Sequence, residues 1–120
     1  MKIAVTAQGP DLDSAVDPRF GRAKYFLVVE TDSGEATAHS NEQNLNALQG
    51  AGVQAGRTVT GLGVSAVVTG NVGPKAFTTL RAGNVAVYTG AGGSVREAVE
   101  QFKAGSLKAA DGANVEGHWG

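Results

Sequence analysis

The second half of the chain alternates short apolar segments with helical patterns, and this alternation constrains the fold more than any other feature. Residues 64–69 and 85–88 are typical of buried strands, and each segment is followed by a helical pattern. A helix between two strands returns the chain to the end where the first strand began, so such strands pair in parallel. The alternation therefore predicts a sheet with helices packed on it.

Three helical patterns each carry one apolar face. The first begins at Ala51 and contains internal glycines, each costing up to about 1 kcal/mol relative to alanine, so packing must hold it. The second begins at Pro74, a residue suited to the first turn of a helix. The third begins after Ser94, which forms a capping-box pattern with Glu97.

The first half of the chain predicts three strands. Residues 3–6 are a short apolar segment, and residues 24–31 are rich in β-branched and aromatic side chains. Asp32, Ser33 and Gly34 are a turn signal that joins the second segment to residues 35–40 as an antiparallel hairpin. The predicted fold is α/β, a mixed five-stranded sheet flanked by helices in the order β-β-β-α-β-α-β-α.

Length and charge narrow the classes of function. Ten Lys and Arg residues against eleven Asp and Glu residues create no global field that would attract nucleic acid or an anionic membrane. No apolar segment approaches the roughly 20 residues that cross a bilayer, and no signal-peptide pattern is evident, so we expect a cytoplasmic protein. Residues 1–108 are predicted to form one domain, and residues 109–120 a flexible tail.

The chain has no cysteine and only two histidines, which limits how it can hold a metal. Disulfides and thiolate ligands for zinc or iron–sulfur clusters are excluded. His39, near the end of the third predicted strand, is a candidate contact for a metal, although a surface histidine is the better interpretation. His118, in the predicted tail, is interpreted as incidental.

A loop between the first two strands carries a recognisable motif. Residues 12–26 read LDSAVDPRFGRAKYF, and residues 20–23 are the most distinctive part. Further landmarks follow in the expected order, at residues 50–52, 70–77 and 102–107. Over residues 1–108 the chain resembles the family of nitrogenase iron–molybdenum cofactor carriers and orange proteins, and its cysteine-free, histidine-poor form is most similar to the orange proteins.

The resemblance implies a ribonuclease H-like fold and a non-enzymatic role in an anaerobic microbe, namely binding, storing or delivering a metal–sulfur cluster. Similarity to the orange proteins implies a molybdenum–copper sulfide cluster held non-covalently, with an iron–molybdenum sulfide cluster as the alternative, and an acceptor or partner protein. Many relatives carry histidine where this chain has Arg19, and histidine with several glycines where it has residues 44–50. Direct histidine ligation is therefore not expected here.

A sulfide-bridged cluster brings its own ligands, so its carrier needs N–H donors, cations and apolar walls. Arg19 and Arg22 flank Phe20 and Gly21, which places guanidinium groups beside an aromatic side chain and an accessible backbone N–H. A solvated loop with a structural phenylalanine is the alternative interpretation.

Helix starts supply the other candidate contacts, because their N–H groups and dipole favour anions. Pro74 lacks an N–H group, so the contacts expected from the strand-to-helix loop are Asn71, Val72, Gly73 and Lys75. The start of the first helix adds Gly50, Ala51 and Gly52. Residues 92–94 precede a third helix start, where Ser94 is better explained as a cap. A structural turn is equally compatible with residues 70–75.

Two other functions remain compatible with the sequence. A two-metal nuclease needs carboxylates that converge on ions about 4 Å apart, and Asp11, Asp13 and Asp17 are the only acidic cluster near a strand end. A nucleotide- or protein-binding regulatory module would use the same glycine-containing loops, but neither a GxGxxG nor a P-loop signature is present. Cluster carriage is the favoured interpretation.

Overall fold

The computed structural model describes residues 1–42 and 50–113, and six strands and three helices lie wholly within them. The strands are β1 (Lys2–Ala7), β2 (Tyr25–Glu30), β3 (Ala36–Ser40), β4 (Ala66–Val68), β5 (Ala86–Thr89) and β6 (Lys108–Ala109). The helices are α1 (Ala51–Gly61), α2 (Pro74–Ala82) and α3 (Val95–Lys103). In this part of the chain, no helix is long and apolar enough to cross a bilayer.

The strands form one mixed sheet in the order β3-β2-β1-β4-β5-β6. β1, β4 and β5 pair in parallel at its centre, as the alternation of strands and helices predicts. β2 and β3 form the predicted antiparallel hairpin, with Tyr25 opposite Ser40 and Val29 opposite Ala36. The mixed α/β class is therefore confirmed, whereas the ribonuclease H-like assignment stays a prediction.

The predicted number of five strands is wrong, because β6 adds a sixth. Its two residues pair antiparallel with β5, placing Lys108 opposite Thr89 and Ala109 opposite Tyr88. A strand of this length is too short to leave a periodic pattern in the sequence. The sheet thus extends one residue beyond the predicted domain boundary. Residues 114–120 of the predicted tail lie outside the described residues, so its flexibility stays a prediction.

Each face of the sheet has its own hydrophobic core. α1 and α2 cover one face, where Phe20, Phe26 and Leu80 are fully buried. α3 covers the other face, where Ile3, Leu27 and other aliphatic side chains are buried. Burying a large apolar side chain contributes about 1.5–3 kcal/mol relative to its exposed state. The two cores therefore hold α1 and α2 on one face of the sheet and α3 on the other.

Close packing between α1 and α2 explains why a glycine-rich segment forms a helix. Gly56 of α1 lies against Thr79 of α2, and a Cβ atom at Gly56 would lie 2.9 Å from Thr79 Cγ2. The missing side chain lets the two helices approach, and their packing offsets the poor helix propensity of glycine. The sequence-based expectation that packing must hold this helix agrees with that contact.

We expect Gly56→Val to lower the free energy of unfolding by about 1–3 kcal/mol, since valine would push α1 away from α2. The matched control is Gly61→Val in the same helix, where an added Cβ meets no atom within 4 Å. The control should be neutral, or stabilising by a few tenths of a kcal/mol. Urea denaturation compares the variants, and equal stabilities would contradict the packing argument.

Candidate functional site

The candidate site lies at the end of the sheet where the parallel strands finish, here named the carboxyl end. β1, β4 and β5 are parallel and end there, and the register places Ser40 at the end of β3 on the same side. α1 and α2 return the chain to begin the next parallel strand, so their N-termini also lie at the carboxyl end. Ligands of α/β proteins usually bind at this end of the strands.

The loop between β1 and β2, residues 8–24, passes over the carboxyl end of the sheet and is here named the crossing loop. It contacts the turn that follows β4. The Asp17 N–H donates to Thr6 O at 2.9 Å, which fixes the loop to β1. Arg19 and Asn71 then form an isolated parallel bridge. Two segments that the sequence predicts as contacts of one ligand, residues 19–22 and 71–75, therefore start side by side.

Pro18 and Asn71 hold these two segments together. The Asn71 N–H donates to Pro18 O at 2.8 Å, and Asn71 Nδ2 donates to the same oxygen at 3.1 Å. The Phe20 N–H donates to Asn71 O at 3.2 Å. Gly70 permits this approach, because a Cβ atom there would lie 2.8 Å from Pro18 Cα. The glycine at this position is therefore required by packing.

The predicted aromatic wall at Phe20 is wrong. Phe20 is fully buried, and its ring centroid lies 5.5 Å from that of Phe26 in the core under α1 and α2. The Phe20 N–H group donates to Asn71 O, so of the pair Phe20 and Gly21 only Gly21 stays a candidate for the backbone donor predicted there. Val72 is also fully buried, which leaves only its main chain near the site. Both side chains serve the hydrophobic core.

Cationic side chains remain at the surface of the crossing loop and of α2. The Arg19 side chain is half exposed, Arg22 is partly exposed and Lys75 is exposed. Arg19 Nε lies 3.9 Å from Asp17 Oδ1, and the Arg19 N–H donates to the same oxygen at 3.0 Å. Asp17 therefore holds Arg19 in place and offsets part of its charge.

Burial raises the pKa of the Asp17 carboxyl above its ordinary value. The loss of solvation is the largest effect, and it is opposed by the hydrogen bond from the Arg19 N–H and by the positive charges of Arg19 and Lys24. The folded protein therefore takes up a proton at Asp17 more readily than the unfolded chain does.

The helix starts at the carboxyl end differ in how their N–H groups are used. Within the described residues, no side chain caps α1 or α2. Ser94 and Glu97 form the predicted capping box of α3, and the N–H groups of Val95 and Arg96 donate to the carbonyls of Ser14 and Leu12. The anion site considered at residues 92–94 is therefore wrong, because the crossing loop occupies that helix start.

The remaining predicted contacts lie at the start of α1. Gly50 is the N-cap, with a φ of 79°, the left-handed conformation that glycine adopts readily. Ala51 and Gly52 are buried in the first turn, so they can present only main-chain groups to a ligand. Gly73, the N-cap of α2, is likewise buried. Residues 44–49 of the region compared with the histidine-bearing relatives lie outside the described residues.

Histidine and carboxylate groups do not gather in the part of the chain that the structure describes. Groups of three or more His, Asp and Glu residues placed to hold a metal are absent there. His39 lies opposite Phe26, partly buried on the face that α1 and α2 cover. Asp13 pairs with Arg96 at 3.3 Å, whereas Asp11 accepts from the Asp13 N–H and from Ser14 Oγ. The convergence that a two-metal nuclease requires is not seen among these carboxylates.

Sequence reasoning missed the residues that fasten the loop. Asn41 is fully buried, and its Nδ2 donates to Ala23 O at 2.8 Å and to Gly21 O at 3.2 Å. Thr6 and Thr69 are buried too, with Thr6 Oγ1 lying 2.7 Å from Asp17 O and 2.8 Å from Thr69 Oγ1. The sequence around a polar residue at a strand end does not show whether its side chain is buried and bonded to a loop or exposed to solvent.

These features define an α/β protein whose candidate site offers cations and main-chain N–H groups in place of thiolate ligands, an arrangement suited to anions. The chain belongs to the dinitrogenase iron-molybdenum cofactor family, whose sequence profile matches residues 1–105. The resemblance deduced from the sequence motifs is thereby confirmed.

Similar proteins include both solved structures and an uncharacterized sequence. The apo form of the orange protein from Desulfovibrio gigas matches with a TM-score of 0.92 and 41% identity, over 95% of this chain and 96% of that chain. A Thermotoga protein of the DUF35 family matches with a TM-score of 0.82 and 35% identity, over 97% and 98%. An uncharacterized protein from Methanocaldococcus jannaschii is 30% identical over 110 residues, 90% of each chain.

Asp17→Asn should change how stability depends on pH. Because the pKa of Asp17 is raised above 3.8 on folding, the contribution of Asp17 to stability is fully present below that value and is lost as pH rises through the folded pKa. Asparagine does not ionise, so the free energy of unfolding of the variant, relative to wild type, should increase between about pH 4 and pH 7. Urea denaturation across this range measures it.

The control for Asp17→Asn is Asp111→Asn, which removes a negative charge at an exposed position. A difference between Asp17→Asn and wild type that stays constant or decreases with rising pH would contradict the assigned direction of the pKa.

Gly70→Ala should separate the two halves of the candidate site. The new methyl group would meet main-chain atoms of Pro18, which cannot rotate away, so we expect a loss of about 1–3 kcal/mol of stability. The amide resonances of Asp17, Arg19 and Phe20 should shift in an NMR spectrum. Gly92→Ala is the control, since a Cβ atom there meets nothing within 4 Å. Equal spectra for the two variants would contradict the proposed contact.

Proposed function

We propose that this protein binds and carries an anionic, molybdenum-containing sulfide cluster non-covalently, as a carrier and not as an enzyme. The single observation that carries the proposal is the pairing of Arg19 with Asn71, which puts a cationic loop beside the start of α2, a helix start that no side chain of the described residues caps. Membership of the dinitrogenase iron-molybdenum cofactor family and the likeness to the orange protein support the same function.

The chemistry of the candidate site fits such a cargo. A chain without cysteine cannot supply the thiolates that hold ordinary iron–sulfur clusters. A cluster that already carries sulfide ligands needs compensation of its negative charge, which guanidinium groups and helix N-termini supply. The described residues offer both at one end of the sheet.

Each proposed contact has a distinct role. The guanidinium groups of Arg19 and Arg22 and the ammonium group of Lys75 provide positive charge. The starts of α1 and α2 provide main-chain N–H donors, and the buried side chains of Phe20 and Val72 support the loops from below without touching the cargo. The main-chain contacts we propose are Gly21, Gly50, Ala51, Gly52 and Gly73.

The metals of the cargo are the finer part of the proposal. Molybdenum with copper is the pair that the resemblance of the sequence to the orange proteins implies, whereas the family description names iron with molybdenum. His39, near the carboxyl end of β3, is the proposed contact if copper is present. The carrier would store the cluster or deliver it to an acceptor protein.

The first test is elemental analysis with a visible spectrum on protein purified from its native host without oxygen. Molybdenum together with copper or iron, with sulfur-to-metal charge-transfer bands, is the expected result. Colourless, metal-free protein that binds a nucleotide such as ATP would instead favour the regulatory module and overturn cluster carriage.

Arg19→Ala combined with Arg22→Ala should weaken retention of the cluster. Hydrogen bonds to charged groups contribute about 1.5–3 kcal/mol each, so the loss of both arginines should lower the affinity by about a hundredfold to ten-thousandfold. Anaerobic titration with thiomolybdate, with and without a copper(I) salt, followed by visible absorption and gel filtration, measures the affinity and the metal content.

The matched control removes the same charge at the opposite end of the sheet, with Arg81→Ala and Lys103→Ala in the last turns of α2 and α3. Melting temperature and amide NMR spectra establish that both double variants are folded. An unchanged affinity in a folded Arg19→Ala, Arg22→Ala protein would remove these arginines from the site.

A further inference from the structure

β3 is an edge strand of the sheet, and its outer side faces away from β2. Within residues 1–42 and 50–113, no strand pairs with that side. Ala36, Thr37, Ala38 and Ser40 are exposed, and His39 is partly buried. The outer side of this strand is therefore accessible to another molecule.

The hydrogen-bonding pattern identifies which main-chain groups point outward. The Glu30 N–H donates to Glu35 O at 2.9 Å, and the Asn41 N–H donates to Lys24 O at 2.8 Å. Bonding to β2 therefore falls on the odd-numbered residues of β3, because main-chain groups alternate between the two sides of a strand. The N–H and C=O groups of Ala36, Ala38 and Ser40 point away from β2, which makes them a template for another strand.

The sequence of β3 lacks the devices that normally block such pairing. Exposed strands are usually protected by charged residues, proline, a bulge or very short length. The five residues of β3, ATAHS, include no proline and no Lys, Arg, Asp or Glu, and their register with β2 is continuous. The strand at the opposite edge of the sheet, β6, has only two residues, and one of them is Lys108. Among the strands that the structure describes, β3 is therefore the edge strand suited to pairing with a partner strand.

Charge at the two ends of β3 indicates what kind of strand fits. Glu35 and Glu42 are exposed immediately before and two residues after the strand. If a second copy paired with its own Ala38 opposite Ala38, Glu35 would lie opposite Asn41 of the other copy and next to its Glu42. Like charges across a strand pair are unfavourable, so self-pairing is opposed and a segment with basic ends is favoured.

We propose that the open side of β3 is a docking surface for an extended segment of a partner protein, an uncharged strand of about five residues flanked by Lys or Arg, bound by β-strand addition. Asn41, directly after β3, is bonded to the loop that carries Arg22, so the docked strand ends beside the candidate site. The proposal rests on the geometry of β3 and is independent of what that site binds.

The test uses a synthetic peptide, KKVTVTVKK, titrated into the 15N-labelled full chain. We expect resonance shifts concentrated in residues 35–41 and slower hydrogen exchange at the amides of Ala36, Ala38 and Ser40. The matched peptide EEVTVTVEE should bind at least about tenfold more weakly, as one tenfold step corresponds to about 1.4 kcal/mol. Equal binding of the two peptides, or shifts confined to other elements, would overturn the proposal.

Ala38→Pro removes one outward N–H donor while leaving the bonds to β2 in place, since proline is tolerated where the N–H faces solvent. We expect the affinity for the basic peptide to fall by about tenfold, the effect of a lost hydrogen bond and its supporting contacts. Ala38→Val keeps the donor and should bind as wild type does. Equal affinities of the two variants would contradict strand addition.

A charge reversal keeps the test decisive if Ala38→Pro does not fold. Glu35→Lys combined with Glu42→Lys should exchange the preference, so that the acidic-ended peptide binds more tightly than the basic-ended one. Sedimentation of the wild-type chain without peptide provides the remaining check. A dimer with the amides of Ala36, Ala38 and Ser40 protected would show that a second copy occupies β3 and would overturn the proposal.

Discussion

The contact between Pro18 and the turn at Gly70 and Asn71 is the constraint on which the candidate site depends. One carbonyl oxygen, Pro18 O, accepts both the main-chain and the side-chain N–H of Asn71. Gly70 has no Cβ atom, and only for that reason can the two main chains approach so closely. Without this contact the arginine loop and the start of α2 would be two unrelated surface segments, and neither would form a site by itself.

Buried polar groups below the site explain how a loop with few apolar residues is held rigidly. Asp17, Asn41, Thr6 and Thr69 are all buried, and each has a hydrogen-bond partner that belongs to the crossing loop or to a neighbouring strand. A buried polar group left without a partner costs about 1–3 kcal/mol, so these groups favour one loop conformation over its alternatives. A preorganised loop loses less conformational entropy when it binds a ligand.

The sequence indicated which segments meet at the candidate site better than it indicated whether each side chain there is buried or exposed. Arg19 and Asn71 were expected to share a ligand, and the fold brings them together, because alternating strands and helices place their turns at one end of a sheet. Phe20 was expected at the surface and lies in the core, since a motif reveals which residues occur together and not which way each side chain points. At the start of α3 the predicted cap at Ser94 is confirmed, whereas the anion contact considered at residues 92–94 is wrong, because the N–H groups there bond a loop some 80 residues earlier in the chain.

Local chemistry in the sequence determined the strands and helices, the hairpin, the capping box of α3, the absence of thiol ligands and the family. These features depend on periodicity, residue type and short-range spacing, which a linear sequence displays directly. Only the tertiary structure decided that β6 joins the sheet, that Asn41 fastens the loop, and that α3 is closed to anions while α1 and α2 carry no side-chain cap in the described residues. Those outcomes depend on contacts between residues far apart in the chain, where local pattern carries no information about which partner is reached.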